Sequence, residues 1–258
     1  MFPKDILFGI DLYTVMLCAS VIAAMICFRA LADKRGIEDR LQNLVLVCCV
    51  ACIAGGYVGA VATQGLYNIP RDGGYVINSQ TGATFYGGLV VGAVIFLATY
   101  FVGGRIVFKN GREHVKDFWT VAGVAPCCIT LAHGIGRIGC LMAGCCHGAE
   151  TDAWYGVYMT ALGKRVVPIQ LFEALFLFGL CALLCLRAVK SRPHNLSLYL
   201  FAYGIWRFFI EYAREDYRGY TLVEFLSPSQ LTSLALIVVA SATVFLEKRG
   251  GSKREKGC

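Results

Sequence analysis

The sequence predicts an all-α, polytopic membrane protein with about seven transmembrane helices. Three observations carry that prediction. Of the 258 residues, 57% are hydrophobic and only 16% are charged, whereas a soluble globular domain carries about 25% charged residues. The mean hydropathy is +0.61. Several apolar runs approach the roughly 20 residues that a helix needs to cross a bilayer, which sets the chain apart from a large soluble protein with many buried helices.

The runs fall, in order, at about 10–30, 41–62, 85–102, 118–133, 169–186, 196–213 and 229–246, with ends good to about 2–4 residues. Before the first run, Lys4 stands beside Asp5 with no basic stretch, and no clear small-residue cleavage site follows it. This run is expected to stay as an anchor. The second and third carry Gly55 and Gly59, then Gly88 and Gly92, small residues four apart that let helices approach closely. The fourth is short and rich in Gly, Pro and Cys. A basic tail, EKRGGSKREKG, follows the seventh and suits contact with anionic lipid. No Ser/Pro linker, low-complexity tract or repeat divides the chain, so residues 1–258 read as one domain. Two long loops, about 63–84 and 134–168, hold most of the polar and Gly content. Functional groups are expected there.

Lys and Arg set the orientation. Sixteen of the 24 lie in the odd-numbered loops and the tail, seven in the N-terminus and the even loops, and the last, Arg207, lies inside a span. Cytoplasmic loops carry the positive excess, so the N-terminus is expected outside and the C-terminus in the cytoplasm. The net charge of +7 is thus a topology signal. Nucleic-acid binding would need a basic stripe with stacking aromatics, and the sequence has none.

Nine of the 13 cysteines lie in apolar runs, where a free thiol behaves as a small hydrophobe. Cys258 is the last residue and cannot be a prenylation site. Cys140, Cys145 and Cys146 occupy a polar, Gly-rich segment where chemistry is plausible.

Three constellations stand out. In YGIWRFFIEYARE, Tyr203, Arg207, Glu211 and Arg214 are spaced to share one helical face. An arginine in mid-span costs roughly 2.5–3.5 kcal/mol and usually faces the bundle interior or a water-filled cavity; a structural Arg207–Glu211 ion pair is the competing reading. In HGIGRIGCLMAGCCHG, residues 133–148, five glycines argue for backbone bent around something. Arg137 lies in its middle, either snorkelling to the interface or offering its planar fork to phosphate. Arg137 and Arg207 together suggest a phospholipid head group between them. In PIQLFEALF, Gln170 and Glu173 open the fifth span. Glu173 is either a helix-dipole charge or a carboxylate that needs an arginine or water as partner. A metal reading of His133, Cys140, Cys145, Cys146 and His147 is set aside, because adjacent cysteines lack the usual Cys-x2-Cys zinc spacing; a disulfide within the cluster is the other structural option.

Taken together, these residues resemble the prolipoprotein diacylglyceryl transferase family. The family's Gly-Arg-x-Gly-Asn-Phe followed by Gly-Glu resembles Gly136-Arg137-Ile138-Gly139-Cys140-Leu141 and Gly144-Cys145. Its Pro-Ser-Gln-Leu-Tyr-Glu resembles Pro168 to Glu173. Its Tyr-Gly-x-x-Arg-x-x-x-Glu-x-x-Arg is similar to Tyr203 through Arg214 at every named position, and Phe85-Tyr86-Gly87-Gly88-Leu89 resembles a Phe-His-Gly-Gly-Leu. The departures are Tyr86 for a His, Cys140 for Asn, Cys145 for Glu, Val167 for a His and Tyr57 for an Arg.

The resemblance implies a multi-pass protein of the bacterial plasma (inner) membrane. It would transfer diacylglycerol from phosphatidylglycerol to the lipobox cysteine thiol of a prolipoprotein and release glycerol phosphate. No metal or organic cofactor is implied. Tyr86, Arg137, Arg207, His147 and Cys145 become candidates for catalysis. Arg137, Gly139, Cys140, Gln170, Glu173, Tyr203, Arg207 and Glu211 become candidates for substrate binding. Tyr86 at the family's base position is a poor base unless perturbed; His133 or His147 could replace it. Two other functions stay open: transfer from the same donor to a different acceptor or through a Cys145 thiol relay, and non-enzymatic lipid binding or transport on the same scaffold.

Overall fold

The computed structural model describes residues 10–78, 81–109, 111–160, 162–214 and 226–255, with backbone alone at 70–72, 85–86 and 250–255. Among the described residues the regular structure is helical apart from one short hairpin and two isolated bridges, Gly148–Arg214 and Glu150–Val166. In order it forms α1 (Leu12–Lys34), α2 (Asp39–Asp72), α3 (Phe85–Phe108), the single turn α4 (Glu113–Lys116), α5 (Phe118–Ala143), β1 (Val157–Met159), β2 (Lys164–Val166), α6 (Ile169–Val189), α7 (Asn195–Ile210) and α8 (Pro228–Glu255). Six of these helices, all but α4 and α7, are long and apolar enough to cross a membrane. α7 has 16 residues and continues into a 3-10 turn at Glu211–Ala213, so the pair fills the run expected at 196–213. Large apolar side chains such as Ile26, Val47 and Ile106 are exposed, while Gln42, Gln170, Glu173 and Arg207 are buried. Lipid in place of water accounts for that inversion.

The chain divides into two compact units, one made of Gly36–Phe118 and the other of Met1–Arg35 with Trp119–Cys258. In the first, α2 and α3 pack through small residues. A Cβ on Gly56 would lie 3.1 Å from the Gly88 carbonyl oxygen, and one on Gly59 would meet Val91 at 2.5 Å. The glycine spacing therefore does what it predicts, with Gly56 rather than Gly55 at the closest backbone approach. Tyr100 is fully buried and donates its hydroxyl to the His114 carbonyl at 2.7 Å, fixing α4.

In the second unit, Asn195 holds three helices at one end. Its amide donates to the carbonyls of Gly123 (3.1 Å) and Leu184 (3.2 Å), and its oxygen accepts from Arg187. At the other end, Gly148 N–H donates to Val167 O, Val167 N–H to Ala149 O and Ala149 N–H to Ala213 O. Those bonds gather the C-terminal ends of α5 and α7 and the start of α6. A Cβ on Gly148 would sit 2.6 Å from the Ala213 oxygen, so only glycine permits that approach.

Two expectations are corrected. The Gly-rich stretch 133–143 is helical, because α5 continues to Ala143. A helix satisfies its own backbone groups where lipid cannot, and its glycines serve contact instead: a Cβ on Gly134 would clash with Phe178 at 2.6 Å. The expected loop at 63–84 likewise begins only after Asp72. Polar side chains in that last stretch bond within the helix, as Thr63 to Gly59 O and Gln64 to Asn68 do.

Candidate active site

The gathered end of the second unit holds a buried cluster of charge. Arg137 lies on α5 one turn beyond His133, and Glu173 lies in the first turns of α6. Glu173 is fully buried. Its two oxygens take the Nε–Nη2 edge of Arg137, Oε2 at 2.9 Å from Nε and Oε1 at 3.2 Å from Nη2. The Tyr203 hydroxyl, from α7, donates to the same Oε1 at 3.0 Å. His133 completes the group, with Nε2 3.8 Å from Oε1 and its ring edge-on to Tyr203 at 5.3 Å. Glu173 thus has the arginine partner that its setting requires, and its place near a helix N-terminus is secondary.

Arg207 is buried on the last turn of α7. Its Nη2 reaches Glu211 Oε2 at 2.8 Å and Ser229 Oγ at 2.9 Å, and Glu211 also accepts from the Ser227 hydroxyl at 3.0 Å. The i, i+4 pair foreseen for Arg207 and Glu211 is present, although Glu211 lies in the 3-10 turn. Arg207 Nη1 is buried and has no hydrogen-bond partner among the described residues. Glu173 lies within electrostatic range of both arginines, which makes the two ion pairs one cluster. Each arginine meets a protein carboxylate first, so a head group between them would engage only what those carboxylates leave.

Arg214 departs from the expected common face. The helix ends at Ile210, and Arg214 takes extended backbone (φ −98°, ψ 147°) to bridge Gly148. The strand-like seam at Gly148 wins over continued helix.

The other sequence candidates fall around this cluster. Gln170 is buried and its Nε2 donates to the Cys145 carbonyl, while its Oε1 has no hydrogen-bond partner among the described residues. Gly139 faces α1, where a Cβ would sit 3.1 Å from Met16; the residue serves helix contact. Cys140 is half-buried and Cys145 exposed, and their sulfurs group with that of Cys146. His147 Nδ1 lies 2.9 Å from the Gly148 oxygen, in the seam. Hydrogen bonds from the neighbouring thiols, with the charges of Arg137 and Arg214, hold the Cys146 thiol well below its ordinary range, and the same bonding pushes Cys145 up. Tyr86 is the second residue of α3 in the other unit, and its side chain lies outside the described residues.

Sequence reasoning missed Ser227 and Ser229. Their signal was present in Ser227-Pro228-Ser229-Gln230, a capping box with Pro at the first helical position. The structure makes that box: Ser227 Oγ accepts from Gln230 N–H at 3.2 Å and Gln230 Oε1 from Ser227 N–H at 2.9 Å.

Helices of membrane-crossing length enclosing paired arginines and carboxylates define a polytopic membrane protein with a polar, anion-suited site. The sequence profile described as prolipoprotein diacylglyceryl transferase matches residues 4–246, and the chain belongs to that family. It is 30% identical over 262 residues to phosphatidylglycerol–prolipoprotein diacylglyceryl transferase 2 of Clostridium perfringens, covering 96% of this chain and 95% of the relative. Enzymes named phosphatidylglycerol–prolipoprotein diacylglyceryl transferase from Clostridium tetani and Vibrio vulnificus are 29% and 28% identical. The first match covers 90% of this chain and 92% of the relative, the second 95% and 89%.

Proposed function

We propose that this chain is a transferase that moves the diacylglyceryl group of phosphatidylglycerol to the cysteine thiol of a prolipoprotein, at the outer face of the bacterial plasma membrane. Family membership supports the reaction, since the relatives carry that activity in their names. One observation carries the site: Arg207 Nη1 is buried, shares the field of Glu173 with a second arginine, and has no hydrogen-bond partner among the described residues. A cationic donor left unpaired away from water is costly, and a phosphodiester oxygen is the group that fits it.

The chemistry follows from the cluster. The acceptor sulfur attacks the glyceryl carbon that bears the phosphate. The S–C bond forms, the C–O bond to phosphate breaks, and its electron pair stays on the departing glycerol phosphate. Arg207 Nη1, with the Nη1 side of Arg137, meets the charge that grows on the phosphate. Glu173 and Glu211 hold the two guanidinium groups in place. His133, in contact with Glu173 and Tyr203, takes the thiol proton. The Lys and Arg distribution supports an external N-terminus and cytoplasmic C-terminus. In that orientation the gathered ends of α5, α6 and α7 face outward, as a lipoprotein precursor emerging from the cytoplasm requires.

The test is direct. Purified protein is incubated with acyl-labelled phosphatidylglycerol and a synthetic lipobox peptide. A labelled peptide whose mass has risen by one diacylglyceryl group, with glycerol phosphate released in equal amount, is the expected result. Phospholipid binding without product, under conditions in which a relative works, would refute the assignment.

A further inference from the structure

The transfer proposed above leaves the thiols of Cys140, Cys145 and Cys146 without a part. Their sulfurs all lie within 4.8 Å of one another, and none is in a disulfide. Backbone geometry brings them together. Cys140 sits in the last turn of α5, and Gly144 then breaks the helix at φ 73°. The Cys145 N–H returns to the Cys140 carbonyl at 3.2 Å. Cys146 takes a left-handed conformation, φ 57°, which residues with a side chain rarely adopt. That turn lets two adjacent cysteines present sulfur to the same centre, so the absence of Cys-x2-Cys spacing is no obstacle here. Gln170, through the Cys145 carbonyl, fastens the turn to α6.

The dimensions suit a metal. Three sulfurs no more than 4.8 Å apart always leave a point within about 2.8 Å of all of them, so Zn–S bonds of about 2.3 Å need shifts of only about half an ångström. Cys145 is exposed, which leaves room for water or another ligand in a fourth position. Three thiolates around a divalent cation carry one net negative charge. Arg137 and Arg214 both lie within electrostatic range of Cys146 and would compensate it. Sulfur-only donors select soft or borderline cations and disfavour calcium and magnesium, which take oxygen.

We propose that Cys140, Cys145 and Cys146 form a three-thiolate site for a thiophilic divalent cation of the zinc type, with its fourth position open to solvent. On binding, each ligating thiol gives its proton to solvent.

The experiment uses full-length protein, purified reduced and metal-free in detergent, with zinc and cobalt as probes. Zinc should bind at one equivalent per chain and remove three thiols from those that react with a maleimide. Cobalt should bring up a near-ultraviolet thiolate-to-metal charge-transfer band that zinc abolishes. Cys146→Ser and Cys145→Ser should each weaken zinc binding by more than the roughly 100-fold that loss of an outer partner can cost. Should either variant fail to purify, thiol protection in the parent decides alone. Three outcomes overturn the proposal: no charge-transfer band, a band that persists in Cys146→Ser, or a disulfide joining two of the three cysteines when thiols are blocked in intact membranes. Each readout is binding or connectivity, so failure here leaves the transferase assignment standing, and loss of that assignment leaves the metal site standing.

Discussion

Glu173→Gln is the sharpest test of the buried cluster. Gln keeps the size of Glu and can still accept from Tyr203, so packing changes little. The charge is what leaves. Glu173 is fully buried and the Arg137 side chain is only 15% exposed, so the substitution strands a guanidinium whose Nε–Nη2 edge faced a carboxylate at 2.9 and 3.2 Å. Breaking a buried pair from one side costs about 3–5 kcal/mol, because the remaining charge is desolvated and uncompensated. Replacing Arg137 by Met as well removes the stranded charge, so the double variant should recover about 1–3 kcal/mol of that loss. Unfolding followed in detergent measures both values. Turnover of phosphatidylglycerol should fall about 100-fold or more in Glu173→Gln, since a misplaced positioning group commonly costs that much. A stability change below about 0.5 kcal/mol, the range of ordinary surface substitutions, would refute the pair. So would strict additivity in the double variant.

Three further outcomes are expected. Arg207→Lys keeps the charge but cannot hold Glu211 and Ser229 while offering a second nitrogen, so turnover should drop about 10–100-fold, the worth of one charged hydrogen bond. If Arg207→Lys and Arg137→Lys, both still folded and monodisperse, bind phosphatidylglycerol as the parent does, the arginine site is wrong. His133→Gln should lower kcat by about 10²–10⁴-fold, the usual contribution of a general base, with phospholipid affinity kept; near-parental kcat would move the base elsewhere. A reporter fused after Cys258 should read cytoplasmic, and one after Asn78 or Asp152 external; an external C-terminus would overturn the charge-based orientation.

Much of the fold was legible because apolar length and spacing act locally. The runs at 10–30 and 169–186 correspond to α1 and α6 within a few residues. The i, i+4 spacing of Arg207 and Glu211 predicted their pair. Helix ends were less legible. Polar residues at 63–72 and glycines at 134–139 look like loop, yet in lipid the backbone keeps its own hydrogen bonds and the side chains find partners beside them. The pairing of Arg137 with Glu173, 36 residues apart, could be anticipated only as a need for an arginine or a water, since which partner arrives depends on how α5 meets α6. The Ser229 contact to Arg207 depends likewise on the seating of α8. The grouping of three sulfurs was hidden for a different reason. It rests on one left-handed residue, Cys146, and cysteine is not among the residue types, glycine above all and then asparagine and aspartate, that announce such a conformation in advance.

The charge count of the cluster bears on where the acceptor's proton goes. Arg137, Arg207, Glu173 and Glu211 sum to zero. A phosphatidylglycerol phosphodiester brings one negative charge into this site, and its cleavage leaves a glycerol phosphate that carries two. If the thiol proton escaped to bulk water, the buried site would gain that second charge during the reaction. At a separation of about 4 Å and an effective dielectric constant near 20, one added like charge costs about 4 kcal/mol. A proton kept on His133 holds the total at minus one throughout, and it waits beside the leaving group that can finally take it. Tyr86 could accept a proton only as a tyrosinate, an uncommon form for a phenol whose ordinary pKa is near 10. His147 lies in the seam, its Nδ1 2.9 Å from the Gly148 oxygen. His133, placed by α5 one turn before Arg137 and held against Glu173 and Tyr203, is the group whose protonation offsets the charge that the departing phosphate acquires.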